Sequence, residues 1–292
     1  MAMTRVAVIG LGGMGAPMAE RLVEAGLDTT VWNRSPGVAD RLAGQGATVA
    51  PDPAAAVRDA DVVVTMLTDA DAVRAVAVDR GMLAALPEGG VWAQMSTIGV
   101  TGTQRLADLV AAERPDVTLV DAPVAGSREP ARQGRLVVLA SGPERARDRV
   151  APVFDALGQR TAWVGEVGAG SRLKLVNNLL LAFVAEGLAS AVALGATLGL
   201  DRSAVLGALD GSPLVAPWAA QKLERIGRDD YTTQYSLALA LKDVDLALRE
   251  APDGRFPAAE ALAAEWRRAV DQGLGPEDLT VITRALTEGG AG

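Results

Sequence analysis

The 292-residue chain contains no histidine and no cysteine, and 28 Lys plus Arg stand against 36 Asp plus Glu, a formal net charge of −8. Those absences exclude Ser-His-Asp and Cys-His nucleophiles, disulfides, and zinc held by imidazole or thiolate, so proton transfer falls to Lys, Asp, Glu, Tyr or water. The acidic balance argues against nucleic-acid binding, and the length, set against domains of roughly 100–200 residues, predicts about two domains.

In chain order, short β-branched runs alternate with helical patterns through the first half. Strands are expected at 6–10, 30–33, 62–67, 91–95, 119–123, 136–140 and 162–164, with helices at 16–25, 38–43, 70–76 and 102–112. Several of the strands are continuous apolar runs, as in strands covered on both faces. The alternation implies an α/β fold with a doubly wound, Rossmann-like parallel sheet. Near Gly165 the pattern changes. One long helix is expected across 171–198, then helices at 203–209, 217–226, 237–250, 257–272 and 276–286, separated by Gly and Pro. The expected organisation is a nucleotide-binding domain at 1–165 and an all-helical substrate and dimerisation domain at 166–292. The tail at 289–292 is expected to be mobile. The most apolar stretch, 179–184, is bounded by Asn177-Asn178 and by Glu186. No membrane span or leader is therefore expected, and the expected compartment is the cytoplasm.

Gly10-Leu11-Gly12-Gly13-Met14-Gly15 matches G-x-G-x-x-G between a strand and a helix, the context that a dinucleotide fingerprint requires. Gly10 allows the tight turn, Gly12 lets pyrophosphate approach the backbone, and Gly15 permits close helix–strand packing. The helix N-terminus then presents free N–H groups and the positive end of its dipole. The second strand ends in Asn33-Arg34-Ser35, with no carboxylate to bind ribose hydroxyls. Arg34 and Ser35 suit a 2′-phosphate, so NADP is expected over NAD.

Lys174, Asn177 and Asn178 share one face of the long helix by their spacing. A lysine on a mostly apolar helix at a domain junction would be partly desolvated, which favours the neutral amine. With no histidine available, Lys174 is the expected acid/base. Thr97 ends a strand on the carboxyl side, where ligands of doubly wound sheets gather. Tyr235 and Trp218 are aromatic candidates to line a pocket.

Four segments in order resemble the β-hydroxyacid dehydrogenase family. The run from Gly10 reads GLGGMGAPMA, and Asp121 to Ser127 reads DAPVAGS where the family has DAPVSGG. Gly168 to Asn178 is similar to the catalytic segment GxGxxxKxxNN, and Lys242-Asp243 to a C-terminal KD pair. The resemblance covers almost the whole chain. It implies a Rossmann domain, a helical domain, NAD or NADP, and association as dimers or tetramers. Together with the apolar long helix, it implies a homodimer through the helical half. It also implies Lys174 as acid/base, Asn178 orienting it with Asn177 alongside, and Thr97 against nicotinamide or substrate. Met66, Leu67 and Thr68 would contact the cofactor, Lys242 would reach it, and Asp243 would close the site. Ala125 departs from the family serine, which leaves Gly126 and Ser127 to hold a substrate and puts a carboxylate substrate in doubt. Arg128 and Arg132 read as surface residues.

The expected activity is hydride transfer between NADPH and a small aldehyde, ketone or β-hydroxy acid. Imine reduction is the alternative, because 31–35 also resembles the imine reductase branch. A non-catalytic NADP-binding scaffold is a third reading, against which stands the retained Lys174.

Overall fold

A computed structural model describes residues 3–288 of the chain; the tail at 289–292 lies outside them. The chain divides into two compact units, Met1–Lys174 and Leu175–Gly292.

The first unit runs β1 (Arg5–Ile9), α1 (Gly15–Glu24), β2 (Asp28–Trp32), α2 (Pro36–Ala43), β3 (Thr48–Val49), α3 (Pro53–Val57), β4 (Val62–Thr65), α4 (Ala70–Arg74), α5 (Met82–Ala85), β5 (Val91–Gln94), α6 (Gly99–Glu113) and β6 (Thr118–Asp121). These six strands pair in parallel in the order β3-β2-β1-β4-β5-β6. Strand periodicity explains why helices cover both faces. Val6 and Val8 enter one core with Met18 and Leu22 of α1, while Ala7 and Ile9 enter the other with Val57 of α3 and Leu106 of α6. The order reverses between β1 and β4, so the carboxyl ends of those strands flank the crevice where such sheets bind ligands.

The remaining elements are β7 (Val124–Ala125), α7 (Arg128–Arg132), β8 (Leu136–Ala140), α8 (Arg147–Leu157) and β9 (Gly158–Trp163). Here the structure departs from the sequence reading. The runs expected at 136–140 and 162–164 do not extend the parallel sheet. They form a separate three-stranded sheet, β7-β8-β9, in which β7 pairs antiparallel to β8. Leu136, Val138 and Ala140 still reach the core shared with α1, so an identical apolar run suits either sheet.

Helix α9 spans Ala169–Thr197, followed by α10 (Arg202–Leu209), α11 (Pro217–Gly227), α12 (Leu237–Arg249), α13 (Pro257–Ala269) and α14 (Ile282–Glu288). The helix expected at 257–272 is α-helical to Ala269 and continues as a π-turn over Val270–Leu274, inside which Gly273 takes φ 92°. The one expected at 276–286 splits into a short 3-10 turn, Leu279–Val281, and α14. Ala182, Ala185 and Ala189 recur at helical spacing and admit Trp266 of α13, whose indole N–H donates to Glu186 at 2.8 Å. A buried ion pair, Lys222 Nζ to Asp278 at 2.9 Å, ties α11 to the segment before α14.

By length and composition α9 is apolar enough to cross a membrane, contrary to the sequence reading. Two of its polar side chains have partners on other helices of the second unit: Glu186 on Trp266, and Asn178 on Asp243. One face of the helix is left uncovered by the chain itself. Leu173, Val176, Leu180 and Phe183 are exposed and follow one face at steps of three and four, and exposed Leu194 lies on the same face eleven residues further on.

Candidate active site

The crevice at the switch point is built by glycines. Gly10 sits at φ 99°, and a Cβ there would lie 2.4 Å from the Met66 carbonyl oxygen. A Cβ on Gly15 would lie 1.9 Å from the Gly10 oxygen. Both positions therefore exclude a side chain on packing grounds alone. Gly12 differs: a Cβ there meets nothing within 4 Å, so its bareness serves no internal contact. Helix α1 begins with no side-chain cap and no acidic residue in its first turn. Its first amides are thus left for an anion. The Asn33 side chain accepts the Leu11 N–H at 3.0 Å and donates to the Ser35 carbonyl at 2.9 Å, so the end of β2 shapes the fingerprint loop. Arg34 beside it is exposed.

The loops after β4 and β5 are tied together. Ser96 Oγ accepts the Leu67 N–H at 2.8 Å, and Met66 N–H donates to the Ile9 carbonyl at 2.9 Å. Met66 and Leu67 consequently border Gly10, and Thr68 follows them in the chain. Thr97, half-buried, follows directly after Ser96. Arg128 was read from sequence as a surface residue, yet a Cβ on Gly13 would come within 2.9 Å of its guanidinium nitrogens. The crevice therefore holds a cation over the fingerprint loop. These residues fit a dinucleotide: an open Gly12, uncapped amides and a positive charge converge where a pyrophosphate would lie.

In the segment from Asp121 to Ser127, the aspartate faces away from any ligand. Its carboxylate is fully buried and accepts from Ser171 N–H at 2.8 Å, Ser171 Oγ at 2.7 Å, Gly168 N–H at 3.1 Å and Ser141 Oγ at 3.1 Å. It caps the start of α9 from the end of β6. Burial pushes its carboxyl above the usual range, against four donors that favour the ionised form. Gly126 takes φ 131°, and a Cβ there would press to 2.6 Å from Leu136 Cδ2. Ala125 pairs with Val137 in β7 and offers no hydroxyl. Ser127 precedes α7 without a side-chain cap bond, which leaves its hydroxyl unused by that helix.

Lys174 is 8% exposed and lies one turn before Asn178 on α9. Asn178 Nδ2 donates to Asp243 Oδ2 at 2.6 Å and to the Tyr235 oxygen at 3.3 Å, while its Oδ1 accepts from Asn177 at 3.0 Å. Tyr235 OH donates to the same Asp243 oxygen at 2.5 Å, and Lys242 Nζ pairs with Asp243 Oδ1 at 2.9 Å. Burial, with the Asp243 carboxylate beside it, holds the Tyr235 phenol well above its usual pKa, so it remains a donor. Five of the residues singled out from sequence thus form one cluster: Asn177, Asn178, Tyr235, Lys242 and Asp243. Trp218 does not join it; it packs between two apolar clusters of the helical unit with the Lys222 ammonium 5.7 Å from its ring.

Comparison with known proteins identifies this arrangement. The family model of the NAD-binding domain of 6-phosphogluconate dehydrogenase matches residues 5–165, and that of NADP-dependent 3-hydroxyisobutyrate dehydrogenase matches 168–286. The chain belongs to the β-hydroxyacid dehydrogenase family. Glyoxylate/succinic semialdehyde reductase 2 of Arabidopsis thaliana is 30% identical over 96% of this chain and 79% of its own length. The NAD-dependent L-serine dehydrogenase of Pseudomonas aeruginosa is 31% identical over 97% of each chain. The crystal structure of 3-hydroxyisobutyrate dehydrogenase from Salmonella typhimurium has a TM-score of 0.88 at 27% identity, covering 96% of this chain and 99% of the other. An imine reductase from Myxococcus stipitatus, at 24% identity and a TM-score of 0.66, shares the fold. This β-hydroxyacid dehydrogenase homologue is an NAD(P)-dependent oxidoreductase.

Proposed function

We propose that the enzyme moves hydride between NADPH and a small carbonyl compound or β-hydroxy acid, with Lys174 as the acid/base. The observation that carries this is a nine-tenths-buried lysine one turn before an asparagine whose amide is locked by Asp243. When bound, the nicotinamide supplies or accepts the hydride. Lys174 hydrogen-bonds the carbonyl oxygen and protonates it in reduction; as neutral amine it takes that proton in oxidation. Asn178 holds substrate or lysine in place, its own orientation set by Asp243 and Tyr235, while Asn177 fixes its Oδ1. Gly126, Ser127 and Thr97 border the substrate, and Lys242 is assigned to the cofactor by the family's KD pair. Gly10 to Gly15 and Arg128 hold the pyrophosphate, with Met66, Leu67 and Thr68 alongside.

Arg34 and Ser35, with no carboxylate at the end of β2, support NADPH over NADH. The relatives' names point to small hydroxy acids and semialdehydes as substrates. Ala125 supports imine reduction as the second reading, because it removes a donor for a substrate carboxylate.

NADPH oxidation measured with glyoxylate, succinic semialdehyde and a cyclic imine separates the two. Lys174→Ala should abolish turnover and leave NADPH binding intact; unchanged turnover sinks the mechanism. Arg34→Glu should raise the dissociation constant of NADPH far more than that of NADH, and equal changes would refute the cofactor preference.

The homodimer belongs to the same reading. The exposed positions 173, 176, 180, 183, 187, 190 and 194 of α9 form an uncharged heptad seam, with Val176 and Leu180 67% and 65% exposed. A second copy of the same helix matches it. Sedimentation of Leu180→Glu should show monomer where the parent shows dimer; an unaltered mass excludes this seam.

A further inference from the structure

We infer that the helical unit carries a second binding site, for a small monocarboxylate, remote from Lys174. A cavity of about 220 Å³ opens beside the C-terminal end of α9, lined by Arg202, Asp229, Tyr231, Thr283, Arg284 and Glu288 among others. Val192 of α9, on its wall, lies about five helical turns beyond Lys174, about 27 Å at the α-helical rise.

The cavity collects unsatisfied polar groups. Among the described residues, four buried side-chain polar atoms have no hydrogen-bond partner. Two of them stand beside opposite charge: Arg225 Nη1, 3.7 Å from Asp278, and Asp243 Oδ1, 2.9 Å from Lys242. The other two, Arg202 Nε and Thr283 Oγ1, both belong to residues of this one cavity. Thr283 is only 2% exposed, so water from outside does not serve it freely. Orphaned buried donors cost stability, and a cluster of them in a native fold calls for a partner.

The surrounding bonds hold these groups in place. Arg202 Nη1 is fixed on Asp229 at 2.8 Å, and its Nη2 on the Ile226 carbonyl and on Tyr231 OH at 3.3 Å, which leaves Nε as its buried nitrogen without a partner. Asp229 itself is the one described non-glycine residue with a left-handed backbone, at φ 51°, a conformation that aspartate tolerates better than most residues. The Arg284 guanidinium lies 5.5 Å over the Tyr231 ring with one nitrogen on Glu277 at 2.5 Å.

The lining selects the ligand. Arg202 Nε–H needs an acceptor, and the threonine hydroxyl can donate to the same group. Both guanidiniums already face carboxylates, Arg202 on Asp229 and Arg284 on Glu277, and with Glu288 these oppose a dianion. A single carboxylate satisfies both demands, and a neighbouring ammonium, as in a small amino acid, finds Glu288. The volume restricts the occupant to a few heavy atoms.

Isothermal titration of the full-length chain, without cofactor, tests this with acetate, glycine and inorganic phosphate as probes. Saturable binding of acetate or glycine is expected, with phosphate weaker. Thr283→Val removes only the unused hydroxyl and preserves shape; it and Arg202→Gln should each weaken binding about tenfold, the worth of one hydrogen bond to a charged group. Lys174→Ala should leave it unchanged, which separates this site from the catalytic one. Four results would overturn the inference: no saturable carboxylate binding, phosphate preferred over carboxylate, equal binding in Thr283→Val, or binding lost in Lys174→Ala.

Discussion

Replacing Asp121 by alanine should destabilise the first unit by about 3 kcal/mol. The carboxylate is completely buried and accepts four hydrogen bonds, but the four are not equivalent. Ser171 Oγ keeps Thr103 Oγ1 at 2.9 Å, and Ser141 Oγ keeps the Gly170 N–H at 2.9 Å and the Asp121 carbonyl at 3.2 Å. The Gly168 and Ser171 amides lose their acceptor outright. Each orphaned buried amide costs roughly 2 kcal/mol, and release of a desolvated charge returns about 1 kcal/mol. Asparagine should cost far less, about 1 kcal/mol: its carbonyl takes both amides and its NH2 donates to Ser171 Oγ.

Acid supplies a second readout. The folded pKa of Asp121 lies above its ordinary 3.8, so the folded state binds the proton more tightly than the unfolded chain. Its contribution is complete below the unfolded pKa and is lost as pH rises through the folded pKa. The parent should therefore gain on Asp121→Asn as the solution is acidified from neutrality. Urea unfolding followed by circular dichroism, at neutral and mildly acidic pH, measures both effects. If alanine costs less than about 1 kcal/mol, or asparagine costs as much as alanine, Asp121 is not the cap of α9.

Other substitutions separate packing from ligand binding. Gly12→Ala should leave thermal stability within about 0.5 kcal/mol of the parent, because its methyl meets open space. NADPH affinity, followed by fluorescence, should nonetheless fall at least about tenfold; unaltered affinity contradicts the fingerprint reading. Gly10→Ala should lower stability itself by about 2 kcal/mol or more, since it adds both the strain at φ 99° and a clash with Met66. Arg128→Ala should weaken NADH and NADPH by the same factor, unlike Arg34→Glu, and a loss confined to NADPH would move Arg128 away from the pyrophosphate. Lys222→Met strands a buried Asp278 and should cost about 3 kcal/mol or more in denaturant melts. Although burial opposes it, Lys222 and the amides of Gln234 and Tyr235 hold Asp278 below its usual pKa. That contribution is present above the unfolded pKa and lost as pH falls through the folded one, so the parent should lose its advantage over Lys222→Met in acid.

Gly10 and Gly15 were legible in sequence because their consequences are local: a turn and a helix start five residues apart admit few conformations. The lysine–asparagine face of α9 was legible for the same reason, since helical spacing alone places Lys174 and Asn178 together. Partner choice is not local. The run 136–140 has the apolar pattern of a central strand, and nothing in it says that β7 and β9 rather than β6 will pair with it. Nor does composition choose faces: α9 is apolar almost throughout, yet its alanines pack inward and Val176, Leu180 and Leu194 face out. The segment from Asp121 to Arg128 joins both lessons. Its first residue holds the start of a helix fifty residues later, because only folding brings Ser171 to β6. Its neighbour Arg128 looks like solvent-exposed charge, and only the position of α7 lays its guanidinium over Gly13. A sequence motif of this kind fixes which residues lie near the site, while the direction each side chain takes depends on strand and helix packing that the motif does not contain.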